Sequence, residues 1–392
     1  MTSIQEAEPG ILFVIPTLEP GGAERACLNY VNNLRRYRRV LVLLAGQGLL
    51  VNELARDVPV FDLSFENYRL GRGLLLHYSS PVKQARSLAK LAHRTGCTTT
   101  CSFLTEANLV AIIAKTLFDH RLKVVINVHD VTTHILAHSK LKSHQRFLLR
   151  SLLRFLYPRA DSVVAVADGV RSDLVQHFGI PAEKVAAIHN PIDVDHVRMQ
   201  AAELVTHPWI NRKEGLLLVA VGRLVKLKGF DLLIQAFARL PHALGPRLII
   251  LGEGTERPRL EQLISQLGLQ ERVALLGFQD NPWKYMARAD IFVLSSLIEG
   301  LPNVVGEAMT LGLPVLATDC PGGIREYVQD GQSGVLVPPA DVNALAQGLE
   351  RLLSDGRLQQ RLAQGACEQA TTFNLPNVIQ AYEAALARLI GG

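Results

Sequence analysis

The sequence lacks several features that would assign a chain of its size to a class at once. Its five cysteines are scattered without the spacing of a metal site, at Cys27, Cys97, Cys101, Cys320 and Cys367. We interpret them as buried free thiols in a reducing cytoplasm. No apolar run approaches the roughly 18 residues of a membrane span, and the early run ILFVIPT follows an acidic stretch, unlike a signal peptide. These absences predict a protein that stays in the cytoplasm.

Two further absences remove functional classes. No Gly-x-Gly-x-x-Gly follows the first strand of either half, which disfavours an NAD-dependent oxidoreductase. Aromatic residues are only 6% of the chain and are not interleaved with the basic residues of the first half, so we expect no nucleic-acid partner. The 48% of hydrophobic and 20% of charged residues are ordinary for a folded, soluble enzyme and argue against disorder.

The basic character of the chain is confined to its first half. Residues 1–195 hold 23 Lys and Arg against 17 Asp and Glu, a net of +6, whereas residues 196–392 hold 18 against 19, a net of −1. This asymmetry predicts an anionic partner for the first half alone, such as a membrane surface or a lipid phosphate.

Short β-branched runs alternate with helical segments in two series, which predicts two parallel sheets covered on both faces. The first series has strands at 11–17, 40–45, 123–128 and 162–167, and the second at 216–222, 247–252, 273–277, 290–296, 313–318 and 333–338. With 392 residues, two domains are also expected from length. We predict an α/β chain with doubly wound domains at 1–195 and 196–373, joined within 189–215. A C-terminal helix at 374–392 is expected to pack back toward the first domain.

Three cations follow the first strand of the second series, Arg223, Lys226 and Lys228, next to a helix predicted to begin near Gly229. In open α/β sheets ligands bind at the carboxyl ends of strands. An arginine fork and a lysine point charge at that position suit a diphosphate. The alternative is a solvated basic turn.

Two carboxylates stand in otherwise apolar sequence, EGLPNVVGEAM, where Glu299 follows a predicted strand and Glu307 lies one turn into the next helix. A carboxylate can accept two hydrogen bonds at once, and a vicinal diol of a ribose or hexose donates two. The spacing therefore suits diol recognition. The alternative is that Glu299 caps the helix region and Glu307 is exposed.

Two features of the first half follow strands in the same way. Gly21 and Gly22 lead into a helix that carries Glu24, an arrangement that suits an anion or a sugar but that is equally typical of a plain strand-to-helix turn. His129 follows the strand at 123–128 and is a candidate for sugar contact or acid–base work, with a purely structural role as the alternative.

A basic amphipathic segment, 138–159, carries six cations and no acidic residue: Lys140, Lys142, Arg146, Arg150, Arg154 and Arg159. Arg146, Arg150 and Arg154 are spaced by four and share a helix face, with a leucine-rich face beside it. This pattern is typical of a helix that lies on an anionic membrane. A surface helix that packs its leucines on its own domain is the alternative.

The motifs together resemble the family-4 retaining glycosyltransferases of the two-Rossmann-domain (GT-B) architecture. The resemblance rests on GGAER, NVHD, HNPID, GRLVKLKG, EGLPNVVGEAM and DGQSGVLVPPAD, which occur in the expected order from residue 11 to about residue 345. It implies two Rossmann-like domains that face each other across a cleft. The variants GGAER and EGLPNVVGEAM resemble those of bacterial enzymes that assemble lipid-linked or surface glycans such as lipopolysaccharide or capsule.

The resemblance also implies roles for the candidate residues. Arg223 and Lys228 would hold the donor diphosphate, Glu307 the ribose, and Glu299 the transferred sugar. The donor side as a whole would comprise Gly22, Arg223, Lys228, Phe278, Glu299, Gly300, Leu301, Asn303 and Glu307. The acceptor side would comprise Gly21, Gly22, Glu24 and His129, and the catalytic group His129, Glu299, Arg223 and Lys228. No metal or other cofactor is expected, because cationic side chains and helix dipoles would stabilise the leaving group.

The expected reaction is the transfer, with retention, of a hexose or N-acetylhexosamine from a nucleoside-diphosphate sugar to a glycan or polyprenyl-linked acceptor. A nucleotide-sugar epimerase of similar fold and a non-catalytic nucleotide-sugar-binding protein remain as alternatives. The sequence identifies neither the base nor the sugar of the donor. We expect the protein in the cytoplasm, peripheral on the inner face of the cytoplasmic membrane through 138–159.

Overall fold

A computed structural model describes residues 8–64, 80–211, 215–241 and 245–390. The chain divides into two compact units. The N-terminal unit comprises Met1–Pro191 together with Pro376–Gly392, and the C-terminal unit comprises Ile192–Leu375. Their junction at Pro191 falls within the predicted join, of which residues 212–214 lie outside the described residues.

The N-terminal unit is built on a parallel sheet in which, within the described residues, seven strands follow the order β3-β2-β1-β4-β5-β6-β7. The strands are β1 (Gly10–Ile15), β2 (Arg38–Leu43), β3 (Val60–Asp62), β4 (Cys97–Phe103), β5 (Lys123–Val128), β6 (Ser162–Ala165) and β7 (Val185–Ala187). Its helices are α1 (Gly22–Asn33), α2 (Ser80–Thr95), α3 (Thr105–Leu117), α4 (Thr132–His138), α5 (Ser143–Leu156), α6 (Asp168–Phe178) and the C-terminal α16 (Leu375–Ile390).

Helix α16 contributes to the core of the N-terminal unit although it is the last element of the chain. Val378, Tyr382 and Leu386 are buried in the same apolar cluster as Tyr30. The rings of Tyr382 and Tyr30 lie 4.1 Å apart between centroids. The Tyr382 hydroxyl donates a 3.0 Å hydrogen bond to Asn127 Oδ1 in β5, which ties the final helix to the strand that leads to His129.

The C-terminal unit contains a second parallel sheet with the strand order β10-β9-β8-β11-β12-β13. The strands are β8 (Leu217–Val221), β9 (Arg247–Leu251), β10 (Val273–Leu275), β11 (Ile291–Leu294), β12 (Val315–Thr318) and β13 (Gly334–Val337). The helices are α7 (Val194–Ala201), α8 (Pro208–Asn211), α9 (Phe230–Ala238), α10 (Arg257–Gln266), α11 (Trp283–Met286), α12 (Asn303–Thr310), α13 (Ile324–Tyr327), α14 (Val342–Ser354) and α15 (Gly356–Ala370).

The predicted fold class, α/β with two doubly wound Rossmann-like domains, is confirmed by these two sheets. Their strands are buried on both faces, as β1 and β11 illustrate with no exposed residue, because helices cover each side. No helix in the described part of the chain combines the length and the apolar character needed to cross a bilayer.

The strand order identifies where each sheet can bind a ligand. It reverses direction between β1 and β4 in the N-terminal unit and between β8 and β11 in the C-terminal unit. In doubly wound sheets the loops that leave two such strands diverge to opposite faces and open a crevice between them. The loops after β1, β4, β8 and β11 are therefore the ones in which to look for function.

Candidate functional site

An ion pair spans the strand reversal of the C-terminal unit. Lys228, in the loop after β8, places its Nζ 2.5 Å from Oε1 of Glu299, in the loop after β11. The Ser296 hydroxyl donates to the same carboxylate oxygen at 2.6 Å. The Lys228 side chain is 21% exposed and that of Glu299 10% exposed, so the pair is largely screened from water. Among the described residues only Oε1 of Glu299 has partners, and Oε2 remains to accept from a ligand.

Backbone contacts bring the two loops together. The Ser295 hydroxyl donates to the Lys228 carbonyl at 2.9 Å, and the Leu297 amide donates to the Leu227 carbonyl at 2.8 Å. Gly229 adopts a left-handed φ of 61°, and a Cβ added there would lie 2.2 Å from the Ser295 carbonyl oxygen. Only glycine allows this approach. Gly229 therefore holds the backbone of Lys228 against the loop after β11.

Two further cations stand unpaired beside the pair. Arg223 and Lys226 are exposed, and neither side chain has a partner in the part of the chain that the structure describes. The Leu224 amide and carbonyl bond to Glu253 and Glu256 of the loop after β9, which anchors the backbone around Arg223. An anion at this corner would meet a guanidinium fork and two ammonium groups, as the sequence predicts for a diphosphate.

The loop that carries Glu299 and Gly300 is held by the loop after β12. The Glu299 amide donates to the Pro321 carbonyl at 3.2 Å, and the Gly323 amide donates to the Gly300 carbonyl at 2.7 Å. Gly322 has a φ of 124°, and a Cβ there would lie 1.6 Å from the Glu299 carbonyl oxygen. Leu301 is buried behind this loop. Asn303 begins α12, and the N-cap residue Pro302 makes no side-chain cap; the N-terminus of a helix favours an anionic or polar ligand.

Glu307 is oriented by a tryptophan that sequence reasoning missed. The Trp283 indole nitrogen donates to Glu307 Oε2 at 2.8 Å, and Trp283 is only 6% exposed. Its ring packs edge-on against His196 at 5.3 Å between centroids. Trp283 begins the short α11, 24 residues before Glu307, and no periodicity or spacing connects the two. The Glu307 carboxylate is therefore fixed at one oxygen before any ligand binds.

A buried thiol lies beside the ion pair. Cys320 follows β12 and is 4% exposed. Burial raises its thiol pKa to about 12, the charge of Glu299 adds to the rise, and Lys228 partly offsets it. The thiol is therefore protonated near neutral pH and acts as an apolar neighbour rather than as a nucleophile. Elsewhere in the unit, Phe278 follows β10 with 48% of its surface exposed. Its predicted place on the donor side stays a prediction.

The predicted acceptor-side glycines lie at the first strand reversal. Gly21 is the N-cap of α1 in an extended conformation, with φ of −164°, and Gly22 is exposed as the first residue of the helix. The Glu24 carboxylate folds back toward Gly21, where a Cβ would lie 2.2 Å from its Oε2. The two glycines thus lead directly into α1, as predicted.

His129 lies one residue after β5, as predicted. Both ring nitrogens are buried and have no hydrogen-bond partner among the described residues. Its ring packs on Phe103 at 5.7 Å between centroids. Burial lowers the pKa of His129 to about 4, so the imidazole is neutral at pH 7. A neutral imidazole can donate from one nitrogen and accept at the other.

No cluster of three or more His, Cys, Asp or Glu side chains that could hold a metal ion occurs among the described residues. One Asp-x-Asp triplet is present, Asp193-Val194-Asp195. Asp193 caps α7 by accepting from the His196 amide at 3.0 Å. This bond accounts for the position of Asp193 in the fold.

Comparison with known proteins agrees with this geometry. Residues 20–196 match the family model for Glycosyltransferase Family 4, and residues 207–369 match that for Glycosyl transferases group 1. The chain is 32% identical over 361 residues, 92% of its length and 94% of the relative's, to a Campylobacter jejuni protein. That protein is named N-acetylgalactosamine-N,N'-diacetylbacillosaminyl-diphospho-undecaprenol 4-alpha-N-acetylgalactosaminyltransferase.

A further relative and two solved structures extend the comparison. The lipopolysaccharide core biosynthesis glycosyltransferase LpsE of Rhizobium meliloti is 37% identical over 170 residues, 43% of this chain and 49% of LpsE. HepE of Anabaena in complex with UDP-glucose is 26% identical with a TM-score of 0.79, covering 97% of this chain and 99% of that one. Sucrose-phosphate synthase of Thermosynechococcus elongatus, at 19% identity, shares the fold with a TM-score of 0.80, covering 97% of this chain and 99% of that one.

The lysine–glutamate pair at the strand reversal, the unpaired cations beside it, and these matches across nearly the whole chain lead to one conclusion. The chain belongs to family 4 of the glycosyltransferases, and the protein is a glycosyltransferase of GT-B fold.

Proposed function

We propose that this enzyme transfers a hexose or N-acetylhexosamine, with retention of anomeric configuration, from a nucleoside-diphosphate sugar to a lipid-linked glycan. The observation that carries the proposal is the Lys228–Glu299 ion pair at the strand reversal, with Arg223 unpaired beside it. A site for a neutral ligand has no use for three cations at the carboxyl end of one strand.

The ion pair prepares the donor site before the donor binds. Glu299 and Ser296 hold Lys228 in the loop after β8, so its ammonium group needs little reorganisation when a diphosphate arrives. Negative charge grows on the leaving diphosphate as the glycosidic bond breaks, and Lys228 and Arg223 stabilise it there. Glu299 binds the transferred sugar through Oε2, and Glu307, steadied by Trp283, binds the ribose. The residues thereby supply the charge stabilisation for which other transferases use a metal ion.

The acceptor hydroxyl attacks the anomeric carbon from the side of the leaving group and passes its proton to the departing diphosphate, a route that retains the anomeric configuration. His129 and the glycine turn Gly21-Gly22 serve the acceptor side. Burial keeps His129 neutral, and because both its ring nitrogens are enclosed, it borders the acceptor through its ring carbons without adding charge. The names of the relatives support a lipid-linked acceptor, since that of the Campylobacter protein contains diphospho-undecaprenol.

Helix α5 brings the enzyme to the membrane that holds such an acceptor. Its apolar side chains divide between two environments: Leu149, Leu153 and Leu156 are buried, whereas Phe147, Leu148 and Phe155 are 70%, 56% and 60% exposed. Arg159 stacks on the Phe155 ring at 3.6 Å. Exposed aromatic and basic side chains on one helix favour an interfacial position on an anionic leaflet.

A donor screen followed by a transfer assay tests the proposal. The native protein is melted with UDP-, GDP- and ADP-sugars, and the true donor raises the melting temperature because it binds only the folded state. That donor is then incubated with a polyprenyl-diphosphate glycan, and the product linkage is assigned by NMR. We expect an α-linked product from an α-linked donor. An epimerised nucleotide sugar formed without acceptor would instead favour the epimerase alternative, and an inverted linkage would contradict retention.

A further inference from the structure

A cavity of about 500 Å³ lies within the N-terminal unit beneath the hairpin formed by α4 and α5. Its walls come from the loop after β4, the end of β5, and the inner faces of the two helices. The apolar side chains include Val128, Ile135, Leu136, Leu141, Leu149 and Leu153. Cavities of roughly 300–1,000 Å³ are the size that proteins use for small molecules or parts of larger ones.

The surface of the cavity is mainly apolar, although polar side chains also line it, among them Thr105, Thr132, Ser139, Gln145 and Tyr157. Asn108 accepts from the Ser102 hydroxyl and donates to the Asn127 carbonyl, and the Asn127 amide accepts from Tyr382. The His129 ring lines the cavity, but both its nitrogens are enclosed, so it presents carbon atoms. Because apolar surface predominates, a saccharide inside would leave some of its hydroxyls against carbon atoms, which is costly. The walls therefore favour an apolar chain.

The charged residues of the lining are all exposed and form the rim. Glu106 and Asp130 follow β4 and β5, whereas Lys140 belongs to the loop between α4 and α5. Lys142, two residues later, is also exposed, and neither lysine side chain pairs with an acidic group among the described residues. The hairpin side of the rim therefore provides two ammonium groups next to an apolar interior.

We propose that this cavity binds the apolar chain of an anionic amphiphile, with a phosphate or diphosphate head at Lys140 and Lys142. The inference deepens the proposed function and rests on it for one point, that the amphiphile is the lipid carrier of the acceptor. Leu149 and Leu153 line the cavity from α5, whose exposed side carries Arg150 and Arg154. One helix would thus contact the membrane on one side and the extracted lipid chain on the other.

The test measures binding of farnesyl diphosphate, a soluble isoprenoid diphosphate, to the full-length protein by isothermal titration calorimetry. Ile135→Asp places a charge on a partly exposed wall position, and Leu149→Phe fills the cavity. Each should weaken binding at least tenfold, because roughly two methylene groups would lose their burial. Val82→Asp, at 40% exposure on α2, and Leu156→Phe, buried on α5, are the matched controls because neither lines the cavity. Their affinity should stay within twofold of the wild-type value.

Competition experiments distinguish binding through the diphosphate head from binding through the apolar chain, and a polyprenyl carrier from a membrane phospholipid. Inorganic diphosphate should compete poorly, and competition as strong as that of farnesyl diphosphate would overturn the role of the cavity. Unchanged affinity in both Ile135→Asp and Leu149→Phe would overturn it as well. Tighter binding of farnesyl diphosphate than of dihexanoyl phosphatidylglycerol supports the acceptor carrier as the ligand, and the reverse order overturns that assignment.

The same variants distinguish this inference from the proposed function. Transfer to a lipid-free saccharide acceptor should be as fast in Leu149→Phe as in the wild type, while transfer to a polyprenyl-linked acceptor should show a raised KM. Absence of any transfer by the wild-type protein contradicts the proposed function and leaves the calorimetric result standing. Equal KM values for the polyprenyl-linked acceptor, with normal transfer, contradict the cavity inference alone.

Discussion

Lys228 is the residue on which the donor site depends most. Its ammonium group is paired with Glu299 at 2.5 Å, and its side chain is 21% exposed. We expect Lys228→Ala to lower kcat by roughly 10²–10³, the usual loss when one preorganised donor to a developing anion is removed. The fold should survive, because the remaining Glu299 carboxylate keeps its bond to Ser296 and can reach water. Steady-state kinetics with the donor found in the screen measures the effect.

Arg259→Ala is the control for Lys228→Ala. This variant also removes an ion pair of the C-terminal unit, the one between Arg259 and Asp231 at 3.2 Å. Arg259 lies on α10, however, and its side chain is 58% exposed. Surface pairs of this kind contribute about 0–1 kcal/mol to stability, so kcat should remain near the wild-type value. Transfer by Lys228→Ala at the wild-type rate would remove the diphosphate assignment.

His129 should make the stability of the N-terminal unit depend on pH. Burial lowers its pKa to about 4, against 6.5 in the unfolded chain. The unfolded state therefore binds more protons between these values, so the stability is fully present above pH 6.5 and is lost as the pH falls toward 4. The loss should reach about 3 kcal/mol at pH 4. Urea unfolding at pH 7 and pH 4 measures it, and the pH-dependent loss should shrink by that amount in His129→Phe.

A wild-type protein and a His129→Phe variant with the same pH dependence would show that the imidazole is not buried as described.

At the residue scale, the sequence was sufficient to predict a site residue where a charged side chain directly follows a predicted strand. Glu299 and Lys228 each follow a predicted strand and carry charge in apolar surroundings, and both lie at the strand reversal. Their mutual ion pair was not predicted, because 71 residues separate them and only the strand order brings β8 beside β11. The Trp283–Glu307 bond was missed for the same reason.

At the scale of the element, the Glu299 loop depends on one glycine of its neighbour. A Cβ at Gly322 would lie 1.6 Å from the Glu299 carbonyl oxygen, at a φ of 124°. We expect Gly322→Ala to displace the loop and to lower kcat/KM at least tenfold. It should also reduce stability by about 1–3 kcal/mol beyond backbone strain, as overpacking does. Kinetics and denaturant unfolding of one preparation measure both effects.

Gly331→Ala is the control that separates the effect of the Cβ collision at Gly322 from the effect of backbone strain. Gly331 also has a left-handed φ, 73°, but a Cβ there would meet nothing within 4 Å. Its replacement should cost about 1–2 kcal/mol of strain and leave kcat/KM unchanged. If Gly322→Ala and Gly331→Ala lost equal stability and kept full activity, the support of the Glu299 loop by the loop after β12 would be disproved.

Strand prediction succeeded or failed according to side-chain chemistry. All six predicted strands of the second series occur, as β8 to β13, because they are β-branched apolar runs.

In the first series, β3, β4 and β7 were not predicted. The sequence of β4, CTTTCSF, reads as polar, yet Thr99, Thr100 and Ser102 are buried. The Ser102 hydroxyl donates to Asn108 at 2.7 Å. Such a hydrogen bond allows a polar side chain to be buried in a central strand, and a hydropathy pattern does not show it. The three-residue β3 and β7 are too short for periodicity to detect.

At the scale of the whole molecule, charge distinguishes the two halves. The net +6 of residues 1–195 contrasts with −1 for residues 196–392, and α5 combines three arginines with exposed Phe147, Leu148 and Phe155. The exposure of these apolar side chains could not be derived from the sequence, because the spacing of the residues does not reveal which of them are buried. The structure assigns Leu149 and Leu156 to the core and leaves Leu148 and Phe155 outside it, which strengthens the case for an interfacial helix.

Replacing Arg146, Arg150 and Arg154 together by Gln should release the protein from anionic vesicles. Each basic residue near an anionic surface contributes roughly 1 kcal/mol, so the partition coefficient on phosphatidylglycerol vesicles should fall about 100-fold, and wild-type binding should weaken as salt screens the charges. Vesicle sedimentation at two salt concentrations measures this. The control removes equal charge from elsewhere in the N-terminal unit, at Arg35, Arg94 and Arg121, all exposed. If both triple variants lost binding equally, general charge rather than α5 would hold the protein on the membrane, because only the location of the arginines differs between them.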